Sequence, residues 1–183
     1  MKGKLVVLTG PSGVGKTTVA NRLLEDMPNL TKLVTYTTRE AREGEKNGVH
    51  YNFVSEDEFR AKIEAGEMFE WATVYDKYYG NAKSDLESLL GSGKDVLMVI
   101  DVQGAKTVEE IQPDAVSIFL NAESRNAMIS RLEKRGQNKK QDLELRIREL
   151  DQELGYREIC DYEVINADGK VEETVEEVKK LVS

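Results

Sequence analysis

Gly10-Pro-Ser-Gly-Val-Gly-Lys16-Thr17 carries the sharpest chemical content of this chain. It fits the spacing G-x-x-x-x-G-K-[ST], follows the apolar run Leu5–Thr9 and opens a segment with Val19, Ala20, Leu23, Leu24 and Met27 on one helical face. Glycines let backbone N–H groups turn inward around a phosphate chain, and the N-terminus of the following helix adds its dipole. In such a cradle Lys16 reaches the β- and γ-phosphates and the Thr17 hydroxyl holds Mg²⁺. Gly10, Pro11, Ser12, Gly13, Val14, Gly15, Lys16, Thr17 and Thr18 thus read as a site for a nucleoside triphosphate. The cradle does not name the acceptor, because motor ATPases, GTPases and small-molecule kinases share it. The guanine-reading N-K-x-D of GTPases is absent, and 183 residues argue against a motor.

A second cluster lies downstream: Thr35-Tyr-Thr-Thr-Arg39-Glu-Ala-Arg42-Glu-Gly-Glu45, then Gly48-Val-His-Tyr51-Asn-Phe53. Two arginines three residues apart, with tyrosines nearby, suit a dianionic phosphate, since guanidinium forks match phosphate oxygens and keep their charge. Glu70-Trp71 and Tyr78-Tyr79-Gly80 follow. His50, the single histidine, has no companion ligands and carries no metal reading. Trp71 reads as core packing among its apolar neighbours, and Tyr78 as a packing residue.

These residues need a frame. Buried-strand runs at Leu5–Thr9, Val96–Ile100, Val116–Leu120 and Tyr162–Ile165 alternate with helical segments near Val102–Ile111, Ser124–Arg135 and Val171–Val182. That alternation predicts an α/β fold: a P-loop domain with a central parallel sheet flanked by helices. Between them, Thr31–Thr38, Val49–Val54 and Met68–Tyr75 read as strands of a small β-rich insertion. Ser55 and Glu58 form a capping box ahead of a short helix, and Ser84 and Glu87 repeat the pattern. Gln137–Gln141 is a polar break, a candidate hinge between two arginine-rich helices. The whole is expected to be one domain, with a core of about 1–34, 86–125 and 155–183, an insertion of about 35–85 and a helical lid of about 126–154.

The order and spacing of the motifs closely resemble the guanylate kinase family. The likeness runs essentially end to end, through the phosphate loop, T-T-R-E-x-R-x-G-E, G-E-x-x-E-W-A, Y-Y-G, I-D-V-Q-G-A and R-L-x-x-R-G. It implies transfer of a phosphoryl group from ATP to GMP. The GMP phosphate then falls to Arg39, Arg42, Tyr51 and Tyr79, with Glu45 bracing an arginine. Glu70 reads the base, because guanine presents adjacent N1–H and N2–H donors that one carboxylate accepts together, where adenine presents an acceptor. Thr35 keeps the hydroxyl of the family's usual serine beside the base. Asp101 takes the acidic position near the substrate and the metal water, either job remaining open. Arg131, Arg135 and Arg146 match arginines brought onto the triphosphate when the lid closes. Asn166 falls beside the adenine pocket, with a strand-end turn as the competing reading.

Three positions depart from the family pattern. Asn81 stands where Ser or Thr is usual, Val99 where an acid is frequent, and Ala122-Glu123 where a proline pair is common. Two other functions fit the same residues: a kinase of a different phosphorylated acceptor, and a non-catalytic guanylate-kinase-like module that binds protein segments. Composition narrows the partners. With 26 Lys+Arg against 34 Asp+Glu, the net charge is −8, which disfavours nucleic-acid and anionic-lipid surfaces. The lone Cys160 reads as a small buried hydrophobe and permits no internal disulfide. No run is long and apolar enough for a membrane span or a secretory leader, so the expectation is a cytoplasmic protein binding GMP and ATP with Mg²⁺. Monomer and homo-oligomer are left open.

Overall fold

The computed structural model describes residues 2–74, 76–134 and 140–183, with the backbone alone for 134 and 140–146. A five-stranded sheet has the order β2-β7-β1-β8-β9, from β1 (Leu5–Thr9), β2 (Leu30–Lys32), β7 (Asp95–Val99), β8 (Val116–Asn121) and β9 (Tyr162–Ile165). The pairs β2–β7, β1–β8 and β8–β9 run parallel, as the alternation of strands and helices predicts. Every residue of β1 is buried, the signature of a strand covered on both faces. A second sheet of four strands has the order β4-β3-β6-β5, from β3 (Tyr36–Thr37), β4 (Asn52–Phe53), β5 (Met68–Val74) and β6 (Lys77–Ala82).

The chain forms two compact units, residues 1–5 with 29–98, and residues 6–28 with 99–183. The first holds the four-stranded sheet, α2 (Glu56–Glu64) and α3 (Lys83–Gly91). Ser55 caps α2 by the predicted capping box, its side chain and that of Glu58 each taking the other's backbone N–H. The second predicted box does not form. Helix α3 starts two residues earlier, at Lys83 after Ala82, with no side-chain cap, and Ser84 lies within its first turn. The expected strand Thr31–Thr38 is also two pieces: β2 belongs to the parallel sheet and β3 to the other. Val49–Val54 contracts to β4, preceded by a lone bridge between Asn47 and Tyr51.

The second unit carries α1 (Lys16–Asp26), α4 (Val102–Ile111), α5 (Arg125–Lys134), α6 (Lys140–Gly155) and α7 (Val171–Val182). Helix α7 buries Val175, Val178 and Val182 and leaves its acidic residues outward, as its period requires. The predicted break Gln137–Gln141 lies partly outside the described residues, with α6 beginning at Lys140. Cys160, expected to be buried, is only half-buried, and burial pushes its thiol up to about 11. No helix among the described residues is long and apolar enough to cross a membrane.

Candidate active site

The phosphate cradle forms where β1 ends. Gly15 sits in the left-handed region, with φ 103°, and a Cβ there would lie 2.5 Å from the Asn166 side-chain nitrogen. At Gly10, φ 133°, a Cβ would meet the Leu120 carbonyl oxygen at 2.2 Å. Backbone and space therefore both demand glycine at these two points. Lys16 Nζ donates to the Gly10 and Pro11 carbonyls at 2.5 and 3.1 Å, so the cation is folded along its own loop. Thr17 and Thr18 follow on the first turn of α1, both exposed.

Two side chains remote in sequence hold this loop. Asn166, 4% exposed, donates through Nδ2 to the Val14 carbonyl at 2.8 Å and accepts at Oδ1 from Thr174 Oγ1 at 3.1 Å. Both ends of its amide are thus committed within the protein, although it also lines a concavity with Gly13, Gly15, Thr18 and Gly169. Glu153 on α6 accepts the Ser12 N–H at Oε2, 3.3 Å away. Burial pushes its carboxyl above the ordinary range, partly offset by Lys16 and the Ser12 N–H. Sequence reasoning missed Glu153, since nothing in the charge pattern of α6 sets it apart from its solvated neighbours.

Asp101 caps α4: one carboxylate oxygen accepts the Gln103 and Gly104 N–H groups at 2.7 and 3.2 Å. Arg131, expected over the triphosphate, has Nε on Asp168 at 2.8 Å and Nη2 on Glu123 and the Asn166 carbonyl at 3.0 and 2.7 Å. It walls the concavity beside the cradle. Arg135 and the side chain of Arg146 lie outside the described residues.

The arginine and tyrosine cluster expected to take the acceptor is built in the other unit. Glu45 receives Arg39 bidentately, Nη1 and Nη2 each at 2.9 Å, and takes the Arg42 N–H at 2.7 Å. Burial raises the Glu45 carboxyl, but Arg39 and the Arg42 N–H outweigh it and hold it below the usual carboxylate range. This is the predicted brace. The Arg39 guanidinium also lies 5.2 Å from the centre of the Tyr51 ring, and Tyr79 meets that ring edge-on at 6.2 Å. Lys32, which sequence reasoning passed over, stands 5.4 Å from the same ring and donates to the His50 carbonyl. His50 itself accepts the Lys46 N–H at Nδ1, a turn-holding role. Thr37 and Thr38 tie this loop to β6 through the Tyr78 backbone.

On β5 the apolar pattern is inverted. Glu70 is 3% exposed whereas Trp71, expected in the core, is 44% exposed. Strand alternation puts one of the two inside, and it is the carboxylate. Trp71 packs edge-on against Tyr78, which stacks on Phe59 as a packing residue should. Opposite Glu70 in the ladder stands Asn81, fully buried, whose Nδ2 donates to Glu70 Oε1 at 2.6 Å. Thr35 is buried in the same unit at 4% exposure.

A parallel sheet whose central strand feeds a glycine loop and a helix defines a P-loop protein of the phosphotransfer class. The sequence profile described as guanylate kinase matches residues 2–183, and the chain belongs to the guanylate kinase family. The guanylate kinase of Salinibacter ruber is 42% identical over 98% of this chain and 97% of its own. That of Pseudoalteromonas translucida is 41% identical over 91% of this chain and 81% of its own. The crystal structure of guanylate kinase from Anaplasma phagocytophilum superposes with a TM-score of 0.81 at 34% identity, covering 99% of this chain and 85% of that one. A shikimate kinase from Bacteroides thetaiotaomicron, at 14% identity and TM-score 0.52, shares the fold alone, with 97% of each chain covered.

Proposed function

We infer that this chain transfers the γ-phosphoryl group of ATP to GMP, and to dGMP, giving ADP and the guanosine diphosphate. The observation that carries the acceptor is the buried Glu70 carboxylate, set in the same unit as the Arg39–Glu45–Tyr51 cluster. A buried carboxylate in one unit with an arginine and tyrosine cluster suits a base with two adjacent donors joined to a phosphate. In this reading Arg39, Arg42, Tyr51 and Tyr79 take the GMP phosphate, while Glu70, Thr35 and Asn81 take the base.

The triphosphate lies along the N–H groups of Gly13–Thr18, with Lys16 turning from its loop carbonyls onto the phosphates. A GMP phosphate oxygen attacks the γ-phosphorus in line with the departing ADP oxygen. That oxygen is already ionised at neutral pH, so the step needs neither a general base nor a covalent intermediate. Lys16 and the arginines at 131, 135 and 146 neutralise charge on the transferred group. The Thr17 hydroxyl and the Asp101 oxygen that takes no part in the cap fit Mg²⁺, a cation that prefers oxygen ligands and keeps several waters beside phosphates. Bound there, it would supply charge neutralisation. We place the reaction in the cytoplasm.

The test is ADP release with Mg²⁺–ATP and, separately, GMP, dGMP, AMP, CMP and UMP. Turnover confined to the two guanine nucleotides is expected, and its loss in Lys16→Ala. Turnover with another monophosphate alone would replace the acceptor. Failure to bind Mg²⁺–ATP would favour a non-catalytic binding module.

A further inference from the structure

We propose that Asn81 makes this site demand the exocyclic amino group of guanine, by taking that group's second hydrogen on its own carbonyl oxygen. The proposal rests on the GMP reading above. Asn81 has 0% exposure, and its Nδ2 donates to Glu70 Oε1 at 2.6 Å. The carboxylate fixes which way round the amide sits, because the flipped amide would press its carbonyl oxygen against an anionic one. The orientation of Oδ1 therefore follows from charge.

Oδ1 itself is buried and has no hydrogen-bond partner among the described residues. Buried acceptors without a donor are rare in folded proteins, and each one asks for an explanation. A donor brought by the ligand supplies it here. The hydrogen-bonding edge of guanine offers N1–H and two N2–H donors. A carboxylate accepts N1–H and one N2–H, which leaves the second N2–H for a neighbouring acceptor. Asn81 is paired with Glu70 across the strand ladder and its amide is bonded to that carboxylate, so its carbonyl oxygen lies within one amide group of the oxygens that take the base in this reading. A hydroxyl at this position could turn to donate or to accept; the carbonyl oxygen of Asn81 only accepts. The site is then built for an amino group. The competing geometry uses the other Nδ2 hydrogen as a donor to guanine O6.

Two analogues separate these geometries: inosine monophosphate lacks the amino group, and 6-thioguanosine monophosphate keeps N1–H and the amino group but carries sulfur, a much weaker acceptor, in place of O6. Values of kcat/KM for both and for GMP are measured with Mg²⁺–ATP in the wild type and in Asn81→Ala, which has neither donor nor acceptor. The comparison turns on ratios, since GMP turnover itself falls on substitution. The GMP-to-inosine ratio is expected to shrink about tenfold or more in Asn81→Ala, while the GMP-to-thioguanosine ratio moves by less than about threefold. An unmoved inosine ratio, or a change confined to the thioguanosine nucleotide, overturns the proposal. If Asn81→Ala does not fold, the wild type is assayed with N2-methyl-GMP, which keeps one N2–H. A fall of about tenfold relative to GMP is expected there, and equal turnover overturns the proposal. A wild type that turns over inosine monophosphate but not GMP would refute the function itself along with it.

Discussion

Replacing Asn166 with alanine separates two roles that one residue could fill beside the cradle. In the structure its Nδ2 holds the Val14 carbonyl at 2.8 Å and its Oδ1 receives the Thr174 hydroxyl at 3.1 Å. After Asn166→Ala, the Thr174 hydroxyl still reaches the Ile165 and Lys170 carbonyls, at 3.3 and 3.2 Å. The Val14 carbonyl keeps only the long contact from Arg131, at 3.4 Å. The loss is therefore close to one buried hydrogen bond with its acceptor left poorly satisfied, about 1–3 kcal/mol. A chain of this size shifts its thermal midpoint by about 2–4 °C per kcal/mol, so a fall of roughly 2–12 °C is expected. The same brace sets the loop that we propose cradles phosphate, and KM for ATP should rise about tenfold for each 1.4 kcal/mol of it that acts on the bound nucleotide. The assay is thermal denaturation together with kcat/KM for ATP and for GTP as donor. A brace weakens both donors alike, so their ratio should stay within about threefold. An unchanged midpoint with an altered ATP-to-GTP ratio would refute the reasoning and make Asn166 a reader of adenine.

Gly15→Ala places a methyl 2.5 Å from Asn166 Nδ2 at a residue with φ 103°, so it should lose Mg²⁺–ATP binding, measured by calorimetry, while GMP binding persists. Preserved ATP affinity would mean that the loop relaxes freely. Glu45→Gln tests the arginine brace through pH. The Glu45 carboxyl lies below its ordinary range when folded, so the stability it contributes is present above the unfolded carboxyl pKa, about 4.3, and is lost as pH falls through the folded value. The wild type should therefore exceed Glu45→Gln in denaturant midpoint at pH 7 and converge on it toward pH 3; a constant gap would show that the Arg39–Glu45 pair is not its source.

Much of the frame follows from patterns a few residues long. The apolar run Leu5–Thr9, the glycines of the cradle, the Ser55–Glu58 cap and the period of Val171–Val182 act through neighbours in the chain, and each element forms where those neighbours place it. The Arg39–Glu45 brace is legible for the same reason, its partners standing six residues apart. Other assignments depended on packing between distant segments. Ser84 had the spacing of a cap, yet β6 runs straight into α3 and places the first turn at Lys83. Thr31–Thr38 was one apolar and β-branched run, but its two ends hydrogen-bond to different strands, Leu97's and Tyr79's, and so fall in different sheets. Asn166 and Glu153 reach the cradle from 152 and 141 residues away, and no local signal marks either contact. Hydropathy would put Trp71 inside and Glu70 outside; the structure does the reverse, because Asn81 across the ladder gives the buried carboxylate a donor and so makes its burial tolerable. Local pattern thus accounts for the elements whose contacts lie a few residues apart. Which polar residues are buried, and with which partners, follows from packing between distant segments, since the desolvation of a charge depends on groups that only folding brings beside it.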